Sequence, residues 1–167
     1  MTMFSIRKST PVRHASQRPV AKTALAGMAA LLALSGCAPT GANTLPREAL
    51  NAAIGQSIGD PNTCVLLADR ATGRVMYRYG APSTCSAAWP ACDRPGTLTT
   101  GATIALGTTA TRTVSCESSP GRRVGWAAGP APGERPMTYA AVMEGDRALP
   151  GREIAARLDG ALRRAGL

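Results

Sequence analysis

Beyond Lys22 this 167-residue chain has no lysine, and beyond His14 it has no histidine. The long remainder therefore excludes a Ser-His-Asp triad, a Cys-His pair and any histidine metal site. Acid–base work there would fall to carboxylates. Asp60, Asp69, Asp93, Glu117, Glu134, Glu144, Asp146, Glu153 and Asp159 sit mostly in turn-like or helix-exterior stretches, where a solvated charge is the default. A glycosidase needs two carboxyl groups flanking a cleft, and no spacing here sets up such a pair. Cys-x-x-Cys pairs are missing too, so Cys64, Cys85, Cys92 and Cys116 do not read as a zinc site. Nor is there an internal repeat, a coiled-coil heptad or a run of the roughly 20 apolar residues that span a bilayer. No metal and no cofactor are expected.

What is present starts with a basic N-terminus carrying Arg7, Lys8, Arg13, Arg18 and Lys22. An apolar run from Thr23 to Leu34 follows, and the small residues Ser35 and Gly36 precede Cys37. Leu34-Ser35-Gly36-Cys37 resembles the processing site of bacterial lipoproteins. That resemblance implies cleavage before Cys37, a diacylglyceryl group on its sulfur and acylation of the new amino terminus. Residues 1–36 would then be a signal peptide, 37–43 a lipidated, flexible tether, and 44–167 a single domain. Two or more acyl chains, at about 0.8 kcal/mol per buried methylene, anchor a protein stably to a membrane without a spanning helix. Ala38 stands after the cysteine where an aspartate would signal retention, which in Gram-negative members of the family implies the outer membrane, facing the periplasm.

The 19 Lys and Arg outnumber the 10 Asp and Glu, but five of these cations fall in the signal, so the net charge of the rest is about +4. The arginines there are interspersed with acids and have few aromatic neighbours, which argues against a nucleic-acid face. Four cysteines left in a small exported domain imply two disulfides. Three pairings are possible. A hairpin over Val65–Tyr79 would bring Cys64 near Cys85, which favours that bond and leaves Cys92 with Cys116.

Leu50, Ile54 and Ile58 recur at helical spacing, with Thr44 available as a cap, Pro46 at the start and Gly59 with Pro61 at the end. Cys64–Asp69 and Val75–Tyr79 read as strands around an Ala71-Thr72-Gly73 turn. After an insert over about 80–111 come strands at Arg112–Glu117, around Val124, Trp126 and Ala128, and at Met137–Glu144. Ile154, Leu158 and Leu162 mark a closing helix whose arginines stay in water. The expectation is an α+β fold, an antiparallel sheet of about five strands with both terminal helices available to cover one face.

Residues Val65–Tyr79, Val124–Gly129 and Tyr139–Gly145 resemble the first hairpin and later strands of penicillin-binding proteins and class D β-lactamases, and the order of elements agrees. The resemblance implies descent from a serine hydrolase. Its chemistry does not carry over, because the Ser-x-x-Lys and Lys-Thr-Gly motifs need lysines that this part of the chain lacks. Roadblock-like domains share the same order.

For binding, the insert is the first candidate, since so long a stretch inside a compact domain is uncommon without a purpose. Trp89 within it offers either a stacking platform or a cover over the disulfides. Arg122 and Arg123 offer either a fork for a carboxylate or phosphate or a solvated hairpin end. Trp126, Tyr77, Tyr79 and Tyr139 read as core. Together these residues imply a lipid-anchored envelope protein that binds a protein partner or peptidoglycan, or plays a structural part, without catalysis; the alternative is a hydrolase of the penicillin-recognising kind.

Overall fold

The computed structural model describes residues 44–167. The expected signal over residues 1–36, Cys37 and the expected 37–43 tether lie outside the described residues. Helix α1 covers Arg47–Ile58, strand β1 Thr63–Asp69 and strand β2 Val75–Tyr79. The insert contributes α2 (Pro82–Ser86), the two-residue strands β3 (Trp89–Pro90) and β4 (Thr97–Leu98), α3 (Thr100–Thr103) and a 3-10 turn at Ile104–Gly107. Strands β5 (Arg112–Ser119), β6 (Arg122–Pro130) and β7 (Met137–Gly145) precede α4 (Gly151–Arg164).

The main sheet has five antiparallel strands in the order β2-β1-β7-β6-β5, with helices at both ends of the described residues, so the domain is α+β as its sequence pattern implies. Successive side chains on a strand point to opposite faces, and both faces are covered. On one face lie α1 and α4: Leu50, Ile54, Ile58, Ile154, Leu158 and Leu162 are buried against Val65, Leu67, Ala127, Tyr139 and Ala141. On the other lies the insert: Cys85 and Ile104 are buried with Cys64, Leu66, Val124, Trp126, Ala140 and Val142. Double cover explains why every residue of β7 is buried and why β1 reads as an apolar run instead of an alternating one.

Residue chemistry fixes the joints. Asp69 Oδ1 accepts hydrogen bonds from the Thr72 backbone N–H and hydroxyl, both at 2.8 Å, and Gly73 at φ 69° closes the turn between β1 and β2. Gly151 starts α4 flat against the sheet, where a Cβ would run into the carbonyl oxygens of Trp126 and Val114. Its N–H donates to Ser115 Oγ at 2.7 Å. The start of α1 differs from the expected cap: Pro46 occupies the capping position, no side chain bonds the first turn, and the Pro46 carbonyl accepts the Leu50 N–H at 2.9 Å. Along α4, Glu153 with Arg157 and Asp159 with Arg163 form pairs one turn apart, at 2.5 and 3.0 Å. Each acid precedes its arginine, the order that suits the helix dipole.

Candidate functional site

Cys64 is bonded to Cys85 and Cys92 to Cys116, with Cα–Cα distances of 5.1 and 5.4 Å. The first bond ties the insert to β1 and the second ties it to edge strand β5. Trp89 is half-buried against the same cluster as all four cysteines. Its ring N–H is buried without an acceptor. Trp126 lies 3 % exposed beneath the insert and donates its ring N–H to the Pro90 carbonyl at 2.8 Å. The cavity between this part of the insert and the sheet is only about 30 Å3, room for a single water. Geometrically, then, the insert is a lid fastened to the sheet by two covalent bonds and an indole.

Arg122 and Arg123 are adjacent on β6 and point to opposite faces. Arg122 Nε and Nη2 donate to Glu144 Oε1 and Oε2 at 2.9 and 2.6 Å, and Ser118 Oγ donates to Oε1 at 2.7 Å. Glu144 was expected in solvent; its side chain is instead 2 % exposed. A buried carboxylate needs its partners, and the Arg122 guanidinium is the chief reason that Glu144 titrates below the ordinary carboxylate range. The same pair raises Arg122. Arg123 stands beside a shallow hollow with Ser115, Glu117, Leu149 and Pro150 on the helix face.

Tyr77 and Tyr139, each 2 % exposed, are core residues. Burial pushes the Tyr77 phenol up to about 12. Burial raises Tyr139 as well, against a hydrogen bond with Thr111 that lowers it.

Sequence reasoning did not find a hollow of about 390 Å3 at the far end of the sheet, formed where the β1–β2 turn meets the loop before β7. Leu45, Met76, Pro136 and Met137 line it together with the charged Asp69, Arg74 and Arg135. Arg47 donates to the Met76 carbonyl and Arg70 to the Met137 carbonyl, both at 3.0 Å. Arg135 donates to the Thr44 carbonyl at 3.4 Å, beside the point where the described chain begins. Asp69, already engaged by Thr72, titrates below the ordinary range, chiefly through the Thr72 hydroxyl.

No family model, curated protein or solved structure matches this chain. Among the described residues, no group of three or more His, Cys, Asp or Glu is placed to hold a metal ion, and no helix is long and apolar enough to cross a membrane.

Proposed function

We propose that this chain is a lipid-anchored cell-envelope protein, acylated at Cys37, whose disulfide-braced domain works by binding another envelope component, a protein or peptidoglycan. The observation that carries the reading is the pairing of all four domain cysteines in two bonds. Such bonds form and persist in oxidising, extracytoplasmic compartments, which is where a signal ending in Leu34-Ser35-Gly36-Cys37 would deliver the domain. What the polar groups are doing supports a non-catalytic role, whether binding or structural. The four domain cysteines are joined, the buried carboxylate Glu144 is neutralised by Arg122, and among the described residues there is no lysine or histidine to activate a serine.

Expression with the signal intact, labelling with a palmitate analogue and intact-mass measurement test the anchor. The labelled species should disappear in Cys37→Ser. In-cell crosslinking with mass spectrometry should then join the domain to one envelope component. An unprocessed precursor in the cytosol with reduced thiols would overturn the reading. The penicillin-recognising alternative draws support from the shared order of helix, two strands, insert, three strands and helix. A covalent adduct with a fluorescent penicillin, lost on substituting one serine, would decide for it.

A further inference from the structure

The fourteen arginines among the described residues differ in what they face. Arg94, Arg122, Arg147, Arg157 and Arg163 each face a carboxylate in an ion pair. Around the hollow, Arg47 and Arg70 donate to backbone carbonyls instead, which carry no counter-charge. Arg74 and Arg135 line the hollow itself. Asp69 is the acid in the lining, and its charge attracts Arg74; exposed Glu48 and Glu134 stand nearby in sequence, so four arginines face three acids here. Guanidinium forks beside the apolar side chains of Leu45, Met76 and Pro136 suit phosphate groups above the edge of hydrocarbon.

The position of this face decides which phosphates it meets. Thr44, whose carbonyl is held by Arg135, is joined to Cys37 by seven peptide links that cannot reach beyond about 25 Å. A domain of this size is about 35 Å across. With Cys37 fixed at the bilayer surface, the chain is too short to let the face bearing Thr44 turn to the far side of the domain.

We propose that the arginine-rimmed face around Arg47, Arg70, Arg74 and Arg135 docks on the membrane that holds Cys37, pairing with the phosphates of anionic lipid headgroups. The inference rests on acylation of Cys37. It assigns the domain an orientation, with the hollow toward the bilayer and the Leu149 end of the sheet away from it.

The test uses the full lipidated protein, its acyl mass verified, in vesicles of phosphatidylcholine alone and of phosphatidylcholine mixed with phosphatidylglycerol. Hydroxyl-radical oxidation is read at Met76, in the hollow, and at Leu149, at the opposite end. Met76 should oxidise more slowly in the anionic vesicles while Leu149 is unchanged. The ratio of docked to undocked protein should fall roughly fivefold for each arginine replaced in Arg74→Gln and Arg47→Gln. Because Arg47 also holds β2, a salt titration of the unaltered protein provides an independent arm: Met76 should lose protection as the screening length shrinks from about 8 Å at physiological salt towards 3 Å at 1 M. Acylated, vesicle-bound protein with equal Met76 rates in both vesicles overturns the docking and leaves the anchor intact. Absence of lipid on Cys37 removes the anchor, and the docking with it. Protection that is equal in neutral vesicles and grows with protein density places a second copy on this face, and also overturns the proposal.

Discussion

The two disulfides close loops that do not overlap, and this makes their joint contribution calculable. Cys64–Cys85 spans a separation of 21 residues and Cys92–Cys116 one of 24. Loop-closure entropy assigns each roughly 3.5 kcal/mol by restricting the unfolded chain. Since the loops occupy separate stretches, the contributions should add to roughly 7 kcal/mol, against a total stability of about 5–15 kcal/mol for an ordinary domain. Cys92 and Cys116 are half-buried, so Cys92→Ala with Cys116→Ala removes little packing and isolates the entropic part. Thermal unfolding of that variant should fall by roughly 10–20 °C. Cys64 and Cys85 are 0 % and 7 % exposed, so their double replacement should cost more, by the packing of two buried sulfurs. In urea the slope of free energy against denaturant should steepen in each variant, because the released unfolded chain exposes more surface. A loss below about 1 kcal/mol for the Cys92–Cys116 variant, with an unchanged slope, would refute the argument that the unfolded state is where these bonds act.

The Glu144 carboxyl has a folded pKa below its unfolded value near 4.5. Its contribution is therefore fully present above that value and is lost as pH falls through the folded pKa. Asp69 acts in the same direction, so melting temperature should drop on acidification below about pH 4.5, and Glu144→Gln should flatten that decline in a pH series of thermal melts. Gly151→Ala would drive a methyl into the Trp126 and Val114 carbonyls and should destabilise by about 1–3 kcal/mol in chemical denaturation. Gly160→Ala on the same helix meets only the flexible end of Arg164, 3.3 Å away, and should stabilise by about 0.4–1 kcal/mol. Trp126→Phe deletes the bond to Pro90; it should cost about 1 kcal/mol and speed amide exchange in the insert before it does so in β7.

Periodicity made the frame of this domain readable in advance. Leu50, Ile54 and Ile58 announce α1, Ile154, Leu158 and Leu162 announce α4, and Val124, Trp126 and Ala128 announce β6, because each set repeats with the period of its element and faces one cluster. The cysteine pairing followed from a hairpin that places Cys64 and Cys85 at its two ends. The lid had no such signal. Its short helices and two-residue strands carry no period, and its path is fixed by partners far along the chain, such as Pro90 for Trp126 and Cys116 for Cys92. Glu144 was misread for a related reason: its neighbours Gly145 and Asp146 signal a turn, while the cover that buries it belongs to other segments. The arginine hollow draws on three separate stretches, and its bonds link residues as far apart as Thr44 and Arg135, so no local pattern announces it.

The penultimate element of the chain is the keel of the sheet. Met137–Gly145 lies between the first strand and the sixth, with Asp69 paired to Met137 and Arg123 to Gly145. Until that stretch has emerged from whatever makes or delivers the polypeptide, the β1–β2 hairpin and the β5–β6 hairpin have nothing to join them, and an isolated two-stranded ribbon is marginal in water. The growing chain should thus remain threadable almost to its last helix. A polypeptide that must pass through a narrow pore before it folds is served by such a late keystone, and a product truncated before Met137 should collect as protease-sensitive coil, with no half-built domain to be found.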